Sequence, residues 1–447
     1  MDAPHRELRE RLTKLVNEFL DRPVVHSSVT ASIERLLQDD PPFEQPQQIL
    51  PIHEAEMRSD FARNIERRIR VIDEEYTLSA HDFAFIMMVP LSVLQPGGAF
   101  SESQGSIFIQ DLLSQSYDLT GHCKFFLKRL TDKHKAELAS QAGVSPLPEE
   151  IIRRSKRNKK TPQDVPAQTE HHDESENDAD SIESGSEYNP GSVRRVNHEK
   201  TKCRGRDRHF CVIMGTRNPD ACHIVPFKWN DTQAAICITR TVRSACGLLM
   251  GNKWLEDNVR LLCNRAEPGS SDKVWNMLCL NRQLHAWWPK CYFAFKCLGA
   301  IPIPDDNNPY RMTDNVSVRL QFYWLPHYHG RKNTSMNIDN WRTWVDDVVA
   351  FQRNGYSPLG SDVAASKAAT NFPIISGHII SVVMNKSDGD RFKAMMDLQW
   401  ALTVIGAMSG GADPPKLKPD LYRKDDDYEV YDESRISSWV QAQARRD

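Results

Sequence analysis

The chain has 447 residues, 40% of them hydrophobic, 26% charged and 9% aromatic, enough apolar content for two or three domains with a sizeable core. Lysine and arginine number 57 against 60 aspartate and glutamate, a formal net charge of −3. This excludes a collagen, a small disulfide scaffold and a wholly disordered chain. It also excludes a uniformly basic nucleic-acid binder, while leaving room for a local basic patch.

Residues 1–145 read as a mainly helical N-terminal region. Its opening, MDAPHRELRERLTKLV, is charged from residue 2 and lacks the apolar centre of a signal peptide. Leu8, Leu12, Leu15, Val16, Phe19 and Leu20 follow a helical period, and Met57, Phe61, Ile65, Ile69 and Ile72 make a second stripe among arginines and glutamates. Such a charged helix has either a solvated outer face or, as the minority reading, a binding surface. The longest apolar run, 83–94, is interrupted by Pro90. It falls short of the ~18 residues of a spanning helix. The expectation is a soluble intracellular chain, nuclear or cytoplasmic, with no membrane partner.

Residues 146–198 read as a disordered charged linker. Residues 153–160 carry six positive charges in eight positions. Glu170, Asp173, Glu174, Glu176, Asp178, Asp180, Glu183 and Glu187 follow with no Lys or Arg among them. So few apolar residues do not offset the entropy of ordering. The basic cluster is either a nuclear-localisation or phosphate-binding patch or a solvated charge block.

Residues 199–330 carry the most information. Residues 209–215 predict a short strand ending in a turn, and 221–227 a second strand stopped by Pro226. Residues 231–250 and 252–263 predict helices. After a Gly/Ser/Asp turn at 269–272, a strand begins at Asn276. Asn281 is a favourable N-cap that puts His285 in the first turns of a helix. Val316, Val318, Leu320, Phe322 and Trp324 alternate with polar residues as a strand does. Residues 331–415 read as a mixed extension: a helix on Trp341, Trp344, Val345, Val348 and Val349, a buried strand at 374–383, and a helix at 392–408 ended by Ser-Gly-Gly. Residues 416–447 form a charged tail.

Of ten cysteines, nine lie between Cys203 and Cys297, and no Cys-x-x-Cys occurs. Zinc-ribbon spacing is therefore absent, and the thiols are expected to be reduced and buried. Cys203 with Cys211 has an unusual spacing for a metal site.

Three residues remain that a strand–loop–helix arrangement can gather around one metal ion: His223, Asn276 and His285. Each also has an ordinary structural role: a buried histidine, a turn brace, and a helix-surface histidine against Trp288. The words Cys-Val-x-x-Gly from Cys211, Cys-His-Ile-x-Pro-Phe from Cys222, and Asn-x-Leu-x-Leu-x-x-x-Leu-His-x-x-Trp from Asn276 resemble the HNH endonuclease family, and most of all its branch found in many fungal proteins. The resemblance runs from about Cys211 to Leu298. It implies an α+β fold in which a small ββα-metal domain is embedded in a mixed region. It implies that His223 is the general base, a role suited to an imidazole with an unperturbed pKa of about 6.5. Asn276 would hold that ring, and His285 would bind a divalent metal, Mg²⁺, Mn²⁺ or Zn²⁺, that stabilises the leaving oxygen.

Where many members of the family place an acidic residue or a histidine, before the base, this chain has Cys222. Thiolate suits zinc and not magnesium. Cys222 is then a zinc ligand with His285, or a buried spectator, or the mark of a site that has lost catalysis. Lys228, Arg240, Arg243, Arg282, Lys253 and Lys290 are candidates for phosphate contacts with DNA, against surface solvation for each. Trp287, Trp288, Tyr292, Phe293 and Phe295 stack on bases or, as the favoured reading, pack in the core. The leading expectation is a metal-dependent DNA endonuclease. The alternative is a non-catalytic, zinc-braced module for nucleic-acid or protein interaction with the same fold.

Overall fold

The computed structural model describes residues 3–23, 26–123, 197–326, 336–353 and 363–410, which fall in one compact unit. The linker reading over 146–196 and the charged tail over 416–447 lie outside the described residues.

The N-terminal helices are α1 (Ala3–Leu20), α2 (Ser27–Gln38), α3 (Ala55–Ile69), α4 (Ala80–Met88), the single turn α5 (Leu91–Leu94) and α6 (Ser106–Cys123). The helical period located α1 and α3 but did not decide their burial. Leu8, Leu12, Leu15, Val16 and Leu20 of α1 are exposed, whereas Ala62, Ile65 and Ile69 of α3 are buried. One arginine of the charged stripe is neither solvated nor a binding group. Arg58 is buried, pairs with Glu54, and donates through Nη1 to the carbonyls of Ile86 and Val89, 2.8 Å each. It thereby satisfies the unpaired carbonyls at the end of α4, which Pro90 prevents from continuing. Ser79 and Asp82 close the other end of α4 as a reciprocal capping box.

After α7 (Asn197–Arg206) the chain turns sharply. The strand expected at 209–215 is absent. Cys211 Sγ accepts from Met214 N at 3.4 Å, Gly215 N donates to the Cys211 carbonyl, and only an isolated bridge joins Phe210 to Arg217. Cys211 and Ile213 are buried there by a compact turn rather than by a ladder. Strand β1 (Asp220–His223) pairs antiparallel with β2 (Met277–Leu280), with Asp220 opposite Leu280 and His223 opposite Met277. Between them lies a helical insertion, α8 (Gln233–Thr241), α9 (Arg243–Met250) and α10 (Asn252–Cys263). Helix α11 (Arg282–Trp287) follows β2 directly. Asn281 caps it as expected, its side chain accepting from Gln283 N at 2.9 Å.

A second sheet has the order β3–β4–β5, with β3 (Phe293–Asp305), β4 (Asn308–Trp324) and β5 (Ile379–Asn385), all antiparallel. β3 and β4 form a long hairpin closing between Asp305 and Asn308. Val316, Val318, Leu320, Phe322 and Trp324 are buried, as their alternation predicts. β5 starts later than expected because residues 374–378 serve as a docking loop. There Glu44 N donates to the Gly377 carbonyl and Ile379 N to the Pro42 carbonyl. Gly377 is required: its φ is +106°, and a Cβ there would stand 2.3 Å from Phe43 Cε2.

Helix α12 (Trp341–Arg353) precedes β5, and α13 (Lys386–Met408) follows it, capped by the Asn385 side chain on Asp388 N at 2.8 Å. Almost every α13 residue from Phe392 onward is buried. A helix apolar on all sides belongs inside a core, and α13 packs against the second sheet as well as α4 and α6. The fold is thus mixed helix and antiparallel sheet, of the α+β class. Among the described residues no helix is long and apolar enough to cross a membrane.

Two predictions follow from this packing. Leu402→Ala, at a position with no exposure, will lower unfolding free energy by about 2–5 kcal/mol. Leu15→Ala, on the exposed face of α1, will change it by less than about 0.5 kcal/mol. Urea titration of both variants checks this. The second concerns His378, buried beside Phe372 in the docking loop. Burial first, and nearby Lys367 second, lower its pKa to about 4, with Asp39 opposing. The folded state therefore favours the neutral ring. Its contribution is complete above about pH 6.5 and disappears as pH falls through about 4. The urea midpoint will fall over that window, and the fall will be shallower in His378→Gln.

Candidate active site

The site is built at the two ends of β1. At one end, His223 is nearly buried, and its Nε2 lies 3.0 Å from Oδ1 of Asp272, a carboxylate with 2% side-chain exposure. Phe227 stacks on the imidazole, with ring centroids 5.8 Å apart and planes 28° apart. The ring is therefore held by a carboxylate on its edge and an aromatic on its face.

Asn276 does not hold the ring through a direct bond. It is fully buried in the turn before β2 and acts on the backbone. Its Nδ2 donates to the Val225 carbonyl at 2.8 Å and to the Ser271 carbonyl at 3.1 Å, while its Oδ1 accepts from Val225 N at 3.0 Å. Val225 is two residues past His223, and Ser271 immediately precedes Asp272. One amide thus clamps the chain leaving the histidine to the chain presenting its carboxylate. A second buried asparagine, Asn230, repeats the device. Its Oδ1 accepts from Ser271 Oγ at 2.8 Å, its Nδ2 donates to the Leu261 carbonyl at 3.3 Å, and its own carbonyl accepts from Gly269 N at 2.7 Å. The insertion between β1 and β2 is pinned at its base by these two side chains.

The Asn276 turn is gripped from the other side by α7. Glu199 Oε2 accepts from Val274 N at 2.9 Å. Arg206 donates to the carbonyls of Val274 at 3.0 Å and Met277 at 2.8 Å. Burial opposes the Arg206 charge, but Asp207 outweighs it and keeps the guanidinium firmly protonated.

At the other end of β1, His285 of α11 meets Asp220. Nδ1 of the imidazole lies 3.2 Å from Oδ2, with side-chain exposures of 28% and 32%. Arg282 approaches the second oxygen at 3.8 Å. Burial works against the Asp220 charge, but His285, Arg282 and Arg204 outweigh it and hold the carboxyl below its ordinary range. The two ends are separated by a four-residue strand, roughly 10 Å along the chain. Among the described contacts, His223 pairs with Asp272 beside the Asn276 clamp, and His285 pairs with Asp220.

Cys222 is buried in the core, its Sγ 3.4 Å from the Asp220 carbonyl. Burial, with Asp220 next, pushes its thiol well above the ordinary range. It makes no three-donor group with His285 and Asp220 among the described residues. Asp220, two positions earlier, occupies the place beside His285 where the sequence pointed to Cys222. Lys228, Arg240, Arg243 and Arg282 are all exposed. Arg282 adjoins the Asp220 pair. Arg240 and Arg243 lie on the insertion, within electrostatic reach of Cys263. Trp288, Phe293 and Phe295 are core, as favoured, and Trp288 stacks on Phe293 at 6.3 Å and meets Phe295 edge-on at 5.4 Å.

Sequence reasoning missed Asp220, Asp272 and Asn230. The first is a strand residue paired opposite Leu280, which leads into the helix of His285. The second sits in the Gly/Ser/Asp turn at 269–272, where local spacing marks only a turn. Neither stands next to a motif histidine, where a carboxylate was sought.

Residues 211–296 match the family model described as HNH endonuclease, from the turn at Cys211 to the start of β3. No curated protein and no solved structure matches the chain.

Replacing Asn276 by Ala leaves a buried N–H and two buried carbonyls without their partner. Each unsatisfied group costs about 1–3 kcal/mol. Asn276→Ala will lower the urea midpoint strongly and deprotect the amide of Val225 in hydrogen exchange. An unchanged Val225 protection factor would show that this clamp does not hold the β1 exit.

Proposed function

We propose that the chain is a metal-dependent HNH endonuclease that hydrolyses DNA phosphodiester bonds, with β1, β2 and α11 as its ββα-metal unit. The observation that carries this reading is the His223–Asp272 pair, 3.0 Å apart at the end of β1, inside the stretch that matches the HNH endonuclease model. His223 takes the proton of the attacking water. The buried carboxylate of Asp272 orients the ring and stabilises the imidazolium that forms, as a carboxylate behind a histidine base does. Asn276 is a positioning residue. It acts by fixing the backbone on both sides of that pair.

Asp220 and His285 fit a divalent cation. They offer one carboxylate oxygen and one imidazole nitrogen side by side, and Arg282 and Arg204 favour the ionised carboxyl. This donor set suits Mg²⁺, Mn²⁺ or Zn²⁺ and does not call on the Cys222 thiol. A cation bound there would supply charge stabilisation for the phosphate and the leaving oxygen. Arg282, beside Asp220, and the exposed Lys228, Arg240 and Arg243 are the groups assigned to phosphate contacts. Their contribution is expected to weaken as salt rises.

Plasmid nicking by the purified chain tests the reading. Cleavage will depend on Mg²⁺, Mn²⁺ or Zn²⁺ and will stop in EDTA. His223→Ala will lower the rate by about 10²–10⁴-fold without changing metal content. Asp272→Asn will lower the rate and shift its pH profile, because the ring loses its fixed orientation. His285→Ala will raise the metal concentration needed for half-maximal rate. Equal cleavage by wild type and His223→Ala would sink the assignment. No cleavage with any metal would leave the non-catalytic interaction module as the function of this domain.

A further inference from the structure

Away from the two ends of β1, three side chains with metal-ligand chemistry converge at the seam between α7 and β2. Cys203 from α7, Asp207 just past its end and Cys279 from β2 place their ligand atoms within 4.8 Å of one another. Cys203 Sγ lies 3.7 Å from Cys279 Sγ and 3.8 Å from Asp207 Oδ2. Both cysteines are fully buried, and Asp207 has 2% side-chain exposure. No other group of three or more His, Cys, Asp or Glu with this convergence occurs among the described residues.

We propose that Cys203, Asp207 and Cys279 bind one Zn²⁺ ion that fastens helix α7 to the strand behind the candidate active site. The Cys203–Cys279 sulfur spacing and the Cys203–Asp207 sulfur–oxygen spacing fit tetrahedral zinc. Bonds of about 2.3 Å to sulfur and about 2.0–2.2 Å to oxygen separate two sulfurs by about 3.8 Å, and sulfur from oxygen by about 3.6 Å. The donor types fit as well, since two thiolates and one carboxylate select a borderline-soft cation over magnesium. The cluster also stays neutral. With both thiols protonated, Arg206 and Asp207 cancel. On binding, Zn²⁺ takes the place of the two thiol protons, which pass to solvent, and no net charge is buried in either state.

Asp207 Oδ2 now accepts from Arg206 Nη2 at 2.9 Å and from Cys279 N at 2.9 Å. Binding would release the Nη2 bond from that oxygen. Arg206 keeps Oδ1 at 2.7 Å and the carbonyls of Val274 and Met277. No fourth His, Cys, Asp or Glu among the described residues joins the group, so the fourth position would fall to a water. The ion would sit behind the grip of α7 on the Asn276 turn, and its role there is structural whether or not the domain cleaves DNA.

The test is metal analysis of the full chain purified under reducing, chelator-free conditions. The expected result is about one zinc per chain, lost in Cys203→Ser and in Cys279→Ser and retained in His285→Ala. The last variant separates this ion from any held by Asp220 and His285. Should the cysteine variants fail to fold, Co²⁺ titration of the wild-type chain decides. A thiolate-to-cobalt charge-transfer band of two-sulfur intensity, with tetrahedral d–d bands, supports the site. Zinc content unchanged in both cysteine variants would overturn the proposal. So would a reduced wild-type chain that carries no zinc and gives no thiolate–cobalt band.

Discussion

The candidate active site depends on the side chain of Asn276. A buried amide with all three of its bonds made to backbone is strong in a low-dielectric interior and costly to leave unmade. Here the bonds reach Val225, 51 residues away in sequence, and Ser271, five residues away. Without them, nothing in the short β1–β2 ladder would fix where the Asp272 turn lies relative to His223. Two strands of four residues each are marginal as an isolated pair. The clamp, together with Asn230 beneath it and Glu199 and Arg206 behind it, turns that pair into a rigid frame.

The frame rests on a larger platform. Trp288, at the end of the helix that carries His285, packs into the aromatic cluster of Phe293, Phe295 and Phe322 on the second sheet. Phe392 of α13 lies under the Arg206 guanidinium, with its ring centroid 5.5 Å from the guanidinium carbon. The second sheet and the buried helix α13 thus support both ends of β1 from below. Placing functional side chains on strands and helix starts backed by such a core keeps their geometry within tight limits.

The two histidines differ because their carboxylates differ in exposure. Asp272 is sealed behind His223, so the pair is suited to holding and moving a proton. Asp220 and His285 are each about a third exposed, with cationic neighbours, so the pair is open to a cation or a phosphate. Under the proposed function, two imidazole–carboxylate pairs of similar length would take separate tasks from their surroundings. Burial of Cys222 follows from the same strand: β1 is only four residues long, and the core takes Cys222 while its ends face the two pairs.

The sequence alone determined most of the local elements and singled out His223 and His285 as candidates. Periodicity placed α3 to within a few residues and found the ends of β4 and α13 at Trp324 and Met408, though β4 begins eight residues and α13 six residues before the expected starts; the cap at Asn281 placed α11, and the words around Cys222 and Asn276 pointed to the HNH endonuclease model. These features are written in neighbours along the chain, where spacing and capping chemistry act. Their failure at 209–215 has the same origin, because a run of apolar residues does not distinguish a buried turn from a strand. Only the tertiary structure decided the partners. Asp272 meets His223 across 49 residues, Asp220 meets His285 across 65, and Cys203 meets Cys279 across 76. Exposure of α1 and burial of α3 were decided there too. Such pairings depend on how the ladder registers and how the insertion closes on its base. Both are set by buried hydrogen bonds between distant backbone segments, which no local pattern records.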